Sequence, residues 1–288
     1  MHRRPATRDD IAATALLVAR SETFWFGAPE EDEAEIGEHF DHVSALETHS
    51  QVFLDGDRMV AVALHNPHDA WFVTDPDPAL TSAVADDLID WYATLENPHI
   101  EVLDRDEAMR AALDAHRWQH ARSSFELVRQ VSVDWTIAEP SYPAGVETRT
   151  FTTDDAEAMY RLIYVDAGWA EVPGHPHRNF DEWRDLFITD TTVPDLQVLA
   201  WRGERLVGVS TGRIFSDGTG WIAQLAVARD ERGSGLGRAL LLDGLRRRAE
   251  AGATMLGLAV QADNRGALNL YLDTGLQIDR EWMEYQPA

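Results

Sequence analysis

The residues whose types and spacing most plainly carry chemistry are Arg232-Gly233-Ser234-Gly235-Leu236-Gly237-Arg238. An apolar run, Ile222 to Val227, comes before them, and a helical pattern, Arg238 to Glu250, comes after. A strand that turns sharply into a helix leaves the first helical N–H groups without partners inside the helix. The helix dipole adds roughly half a positive charge at that end, so an anion such as phosphate settles there readily. Glycines let the anion reach the backbone and supply positive φ where the turn needs it. The same pattern also serves as a plain connection. A Walker loop would end in Gly-Lys-Ser/Thr, and no lysine follows Gly237. A dinucleotide fingerprint, G-x-G-x-x-G, fails because Arg238 stands where its third glycine should be, counting from Gly233.

Downstream, Thr254 to Val260 is a short apolar run, followed by polar Gln261-Ala-Asp-Asn264 and a second helical pattern that closes on Thr274-Gly275-Leu276. Arg-x-x-Gly-x-Gly at 232–237, with Asn264, Ala267, Tyr271 and Gly275 spaced as Asn-x-x-Ala-x-x-x-Tyr-x-x-x-Gly-Leu, resembles the GNAT superfamily of acyl-CoA N-acyltransferases. The resemblance covers Val146 to Tyr285. It implies acetyl-CoA as acyl donor and no metal. It also implies that Arg232, Gly233, Ser234, Gly235, Leu236, Gly237 and Arg238 cradle the CoA pyrophosphate. By the same resemblance, Leu225, Ala226 and Val227 pair through their main chain with the pantetheine arm, along an edge freed where the strand splays from its neighbour. Asn264 then lies near that arm, and the Tyr271 hydroxyl is the general acid at the thioester sulfur.

The acceptor side is less sharply written. Many members of that superfamily carry a glutamate early in the splayed strand. Here the neighbourhood reads Gly220-Trp221-Ile-Ala-Gln224, with no carboxylate. Gln224 can orient a water but cannot take its proton at neutral pH. Asp166, Trp169, Glu171, His175 and His177 lie in the segment the superfamily uses to line its acceptor pocket, and with Trp221 and Gln224 they are the candidate substrate residues. Each also reads as part of a solvated loop around a core tryptophan.

Composition bounds the partners. Fifty acidic against 25 basic residues give a formal charge of −25, and every base is arginine. Such a field repels nucleic acid and concentrates cations, including a positively charged amine. An anionic donor therefore needs a locally basic site, which Arg229, Arg232 and Arg238 would supply. The absence of cysteine excludes disulfides, thiolate nucleophiles and zinc–thiolate centres. The pairs His39/His42 and His116/His120 have helix-face spacing but sit in no ligand motif. No apolar run approaches the ~18 residues of a membrane span, and Met1-His-Arg-Arg-Pro5 lacks a secretory core. A cytoplasmic monomer or homodimer with no membrane partner is expected.

The length of 288 residues suits two domains, and the chain reads as one module written twice. Thr7-Arg-Asp-Asp10 returns as Thr152-Thr-Asp-Asp155. Gln51 to Val62 returns as Gln197 to Val209 with one inserted residue, each copy two alternating strands around a Gly-centred turn. The expectation is an α/β (α+β) architecture of two tandem GNAT-like domains, each a mixed, mostly antiparallel sheet flanked by helices. Residues 1–138 form a degenerate copy that does not bind CoA, 139–145 form a linker, and 146–288 form the catalytic copy. In an ungapped pairing of Val73 with Val227, Pro78, Ala79, Thr81 and Ala83 replace the cradle residues, and pairing Trp118 with Leu276 sets Asp106 and Leu113 at the positions of Asn264 and Tyr271. The mycothiol synthases are similar in this arrangement. The functional expectation is acetyl transfer to a primary amine of a small acceptor. A protein N-terminus or aminoacyl compound as acceptor, or a CoA-binding sensor without catalysis, are the alternatives.

Overall fold

The computed structural model describes residues 1–66, 69–172, 175, 178–189 and 192–288. Its contacts divide the chain into two compact units, Met1–Phe125 with Arg280–Ala288, and Glu126–Asp279. The chain leaves the first unit within the strand Trp118–Gln130 and returns within the strand Gln277–Pro287. The 139–145 segment, expected as a linker, falls inside the second unit. There the Tyr142 hydroxyl donates to Asp243 Oδ2 at 2.6 Å, Glu139 pairs with Arg246, and Arg202 Nη1 donates to the Ala144 carbonyl at 2.8 Å. Proline and glycine mark where regular structure stops, which is not where packing stops.

In the first unit an antiparallel sheet runs His2–Arg4, Ser50–Asp55, Arg58–Asn66, Asp69–Thr74. Alternation along Arg58–Asn66 sends Val62 and Leu64 to one face, against Leu17, Val18, Ile36 and Phe40. Ala61 and Ala63 go to the other, against Val84, Leu88, Tyr92 and Met109. A period of two on a strand with helices on both sides leaves no polar face, and Met59 to His65 are all buried. The strand Ile100–Leu103 pairs antiparallel with Trp282 to Tyr285 of the returning chain.

In the second unit the order is Glu147–Thr150, Val198–Arg202, Arg205–Ile214, Thr219–Val227, Met255–Gln261. Each pairing is antiparallel except that of Thr219–Val227 with Met255–Gln261, which the helix Leu236–Glu250 connects as a crossover. The sheet is mixed and mostly antiparallel, as expected. Leu236 and Leu240 pack on one face with Val198, Ala200 and Val207. On the other face Leu162, Ile163 and Trp183 cover Leu199, Val209 and Ala226.

The repeated motifs take the same local form in both units. Thr7/Asp10 and Thr152/Asp155 each close a capping box before a helix, and Gly56 and Gly203 each turn a hairpin at φ 62°. No helix among the described residues is long and apolar enough to cross a membrane.

Candidate functional site

The strand Thr219–Val227 behaves differently on its two edges. Its antiparallel register with Arg205–Ile214 continues to Val227, opposite Gly208. Its parallel register with Met255–Gln261 spans Thr219 to Ile222 and ends there. From Gln224 to Val227 the edge toward Met255–Gln261 is therefore unpaired, a splay that exposes main-chain donors and acceptors for an added strand. Leu225 and Val227 pack toward Leu236 and Leu240. Ala226 and Ala228 pack toward Leu162, Ile163, Tyr164 and Ala167.

At the end of this strand a 3₁₀ turn, Arg229–Glu231, leads into the helix Leu236–Glu250, whose N-cap is Gly235 at φ 90° with no side-chain cap. The N–H groups of Gly233, Ser234, Gly235, Gly237 and Arg238 have no partner among the described residues. The Ser234 hydroxyl is used within the turn, donating to the Glu231 carbonyl at 2.6 Å. Gly233, at φ 76°, and Gly235 need glycine for their backbone conformation. Gly237 does not: its φ is not positive, and a Cβ there would make ordinary contacts, 3.7 Å from Val227 Cγ2 and 3.9 Å from Leu270 Cδ2. Nothing among the described residues requires a glycine at 237. Those two contacts also bring together the first turn of the helix, the splayed strand and the residue next to Tyr271.

Tyr271 lies on the helix Arg265–Asp273, only 6 % exposed. No hydrogen bond to its hydroxyl is formed among the described residues, and burial pushes its pKa up to about 12. Asn264 is the N-cap of this helix, its Oδ1 accepting the Ala267 N–H at 3.2 Å. Capping alone explains an Asn at that position, a role the resemblance did not include.

The expected basic site is narrower than three arginines. Arg229 makes a two-pronged pair with Glu171, at 3.0 and 2.6 Å, which holds the Glu171 carboxyl below its usual range. Its charge is neutralised, and Glu171 is equally occupied rather than open to an acceptor. The guanidinium lies across Gly168, where a Cβ would fall 1.9 Å from Arg229 Nη2. Arg232 donates to the Ala167 carbonyl at 2.6 Å and has no carboxylate partner among the described residues, and Arg238 is exposed with no partner among them. The remaining charges of the turn are spent on the sheet: Arg202 pairs with Glu231 and Arg205 with Asp230.

On the acceptor side, the helix Ala156–Arg161 runs into a π turn, Leu162–Asp166, a local widening that recurs at functional sites. It presents Asp166 half-buried at its end. His175 packs edge-on to Trp169 at 5.0 Å and lies 5.9 Å from Tyr164. His177 lies outside the described residues. Gln224 is buried beside Thr211. Trp221 is placed otherwise than a pocket residue: its ring covers Gly257, its partner across the parallel pair, where a Cβ would meet Trp221 Cζ3 at 2.8 Å. A large ring over a strand fits only if the opposing residue is glycine. Among the described residues no cluster of three or more His, Asp and Glu could hold a metal ion. His39 is engaged by Glu31 and the Trp71 ring, and His116 by Asp86 and Asp90. Gln197 and Arg248, two buried polar residues bonded to the backbone near Trp221, carry no signal in the sequence. Arg248 is the third of three consecutive arginines, and only packing tells it from the other two.

Residues 156–276 match the model of the acetyltransferase (GNAT) family. The chain is 33% identical over 144 residues to a mycothiol acetyltransferase of Saccharopolyspora erythraea, and 32% identical over 148 residues to one of Streptomyces scabiei. These stretches are 48% and 50% of this chain and 46% and 47% of the relatives, so the chain spans about half the length of the curated relatives it matches. A GCN5-related N-acetyltransferase from Sphaerobacter thermophilus superposes with a TM-score of 0.77 at 20% identity, over 99% of this chain and 94% of that one. A tandem GNAT protein from the clavulanic acid biosynthesis pathway gives 0.71 at 15% identity, over 100% and 99%. At such identities these two structures establish a common fold. Residues 156–276, somewhat less than half of the chain, are therefore similar to the acetyltransferase (GNAT) family.

Proposed function

We propose that the protein transfers acetyl from acetyl-CoA to the primary amine of a small, cationic acceptor, by direct attack in a ternary complex, with residues 146–288 as the catalytic module and 1–138 as a copy that does not bind CoA. The observation that carries this reading is the helix start at Gly235. Five N–H groups without partners among the described residues lie there, one of them that of Gly237, a glycine that the surrounding described residues do not require. The residues fit a diphosphate, because open amides and two arginines without carboxylate partners among the described residues suit an anion.

Leu225, Ala226 and Val227 would hold the pantetheine arm through their main chain, with Asn264 beside it. The donor supplies an activated acetyl group. The amine nitrogen forms a bond to the acetyl carbon as the carbon–sulfur bond breaks, and an amine proton ends on sulfur. Donors aimed at the developing oxyanion are worth about 3–4 kcal/mol each in comparable sites. A phenol pushed up to about 12 is fully protonated at neutral pH. Tyr271 therefore stands protonated beside the departing sulfur and can donate a hydrogen bond to it, while its raised pKa makes complete transfer to a thiolate of ordinary basicity, about 8.5, run uphill. Asp166, Trp169 and His175 would face the amine, with Gln224 orienting water, while Glu171 holds this segment to the cradle through Arg229. The acidic surface favours a cationic acceptor.

The test is acetyl-CoA consumption against a panel of small amines, including compounds related to mycothiol after the name of the relatives, with CoA quantified by chromatography. Amine-dependent release supports the reading. Tight CoA binding with no release from any amine replaces it with a CoA sensor.

A further inference from the structure

The strand Thr219–Val227 carries one extra residue. Its register with Arg205–Ile214 steps from Ile222 opposite Gly212 to Gln224 opposite Thr211, leaving Ala223 unopposed. The parallel pairing with Met255–Gln261 ends at the same place, Ile222. A bulge bends a strand, increases its twist and disrupts the ladder, and buried backbone groups freed in this way need partners.

Two buried side chains supply them. Gln197 accepts the Gly212 N–H at 3.0 Å through Oε1, and its Nε2 donates to the carbonyls of Gly212 at 2.9 Å and Val193 at 3.0 Å. Arg248 is completely buried. Its Nε donates to the Trp221 carbonyl at 3.0 Å, and its Nη1 to those of Leu196 at 3.3 Å and Gly244 at 2.9 Å. Its Nη2 has no partner among the described residues. Gly212, at φ 151°, leaves the room this requires: a Cβ there would fall 1.9 Å from the Trp221 oxygen and 2.7 Å from Arg248 Nη2.

A guanidinium wholly removed from water and bonded only to carbonyls is not what stability alone selects. Burying a charge without a counter-charge is costly, and a well-packed apolar side chain is often the more stable choice. An apolar residue at 248 would, however, leave the Trp221 and Leu196 carbonyls without this donor, and the bulge without its clamp. We propose that Arg248 and Gln197 are positioning residues for acyl transfer: by clamping the bulge at Ala223 they hold Gln224 to Val227 away from Met255–Gln261 and keep open the edge that the donor's arm occupies. This rests on the acetyl-transfer reading for its chemistry, but the clamp itself can be tested without turnover.

Arg248→Met, Arg248→Lys and Gln197→Met in the full chain separate positioning from plain structural support. Two quantities are read: kcat per donor-binding site, with sites counted by acetyl-CoA calorimetry, and hydrogen exchange of the amides from Trp221 to Val227. Arg248→Met is expected to lower kcat per site at least tenfold while KM for acetyl-CoA moves less than threefold, because the cradle at Gly233 to Arg238 is untouched. Exchange from Trp221 to Val227 should accelerate about tenfold or more, with the helix Leu236–Glu250 unaffected. Arg248→Lys, which keeps a cationic donor, should recover most of both. A merely structural role would lower Tm and the number of binding sites and leave kcat per site and local exchange at parental values, which overturns the proposal. Should Arg248→Met not fold, Gln197→Met takes its place, with the same changes expected and the same parental values overturning the proposal. If no amine makes the parent release CoA, the acetyl-transfer reading fails, and the exchange data alone decide whether the clamp exists.

Discussion

The helices Pro78–Tyr92 and Leu236–Glu250 each follow a sheet strand, and their first turns are opposites. The helix Pro78–Tyr92 follows the strand Asp69–Thr74 through three residues, 75–77. Proline at its first position has no N–H to satisfy, the Asp77 carboxylate accepts the Ala79 N–H at 2.9 Å, and Leu80 and Thr81 donate their N–H groups to the Asp77 carbonyl. Asp75 is buried beside this turn, paired with Arg58 and accepting the Asp77 N–H. The helix Leu236–Glu250 follows its strand through eight residues, 228–235, and begins on Gly235 with its donors open. The first helix start is satisfied by its own chain and carries carboxylates where an anion would have to sit. The second leaves the same donors open. The ungapped pairing of the two halves, which sets Ala83 against Gly237, misses this. Matched by their helix starts, Asp77 stands against Gly235 and Ala79 against Gly237, because the first connection is five residues shorter, three against eight.

The comparison is open to direct attack. The largest effect is expected from Tyr271→Phe. Loss of a hydroxyl with no partner among the described residues should barely change stability, yet should lower kcat by about 10²-fold or more, the low end for general acid–base assistance, with KM for acetyl-CoA nearly constant. Steady-state kinetics with the best amine decide this, and an unchanged kcat removes Tyr271 from the chemistry. Gly237→Ala comes next, and it separates fold from function by sign. Alanine raises helix propensity by up to about 1 kcal/mol and meets no clash, so Tm should rise while acetyl-CoA affinity falls about tenfold, equivalent to ~1.4 kcal/mol. Its counterpart, Asp77→Ala, should cost about 1 kcal/mol as a lost cap and leave donor affinity unchanged. A calorimetric change in donor binding there would show that the first helix start is not inert.

The smallest expected effect sharpens the same contrast. Glu22 also turns a carboxylate onto neighbouring N–H groups, those of Glu30 at 2.7 Å and Glu31 at 3.2 Å, and burial pushes its pKa up to about 7. A folded-state pKa above the ordinary 4.5 means the native state holds the proton more tightly. Its contribution is fully present below pH 4.5 and lost as pH rises through 7. Glu22→Gln, which mimics the protonated form, should therefore gain Tm relative to the parent across pH 4.5 to 7 and level off above. A Tm difference independent of pH would place this carboxyl in water.

Much of this was legible before folding was considered. Thr7/Asp10 and Thr152/Asp155 announce helix starts because a capping box is a local hydrogen-bond exchange. Gly56 and Gly203 announce hairpins because few other residues accept positive φ cheaply. Gly233 to Gly237 announce an uncapped helix start, because helix N–H groups stay open wherever no cap is written. The pairing of Asp106 with Asn264 is legible for the same reason, since both cap nine-residue helices at the same register. Other residues are ambiguous in the sequence. Glu171 and Arg229 are both plausible ligand residues until the fold brings them together across 58 positions. Arg248 is one arginine of three until burial gives it a backbone to hold.

What the sequence determined by itself was everything that depends on neighbours along the chain: periodicity, caps, turns, and the spacing of Gly237 and Tyr271 on their two helices. What only the tertiary structure decided was where pairing stops. The parallel register ends at Ile222 because a bulge at Ala223, Gly212 opposite it and the buried Gln197 and Arg248 take over hydrogen bonds that a regular ladder would make. These groups come from four separate segments, and their mutual satisfaction depends on long-range packing that no local pattern records.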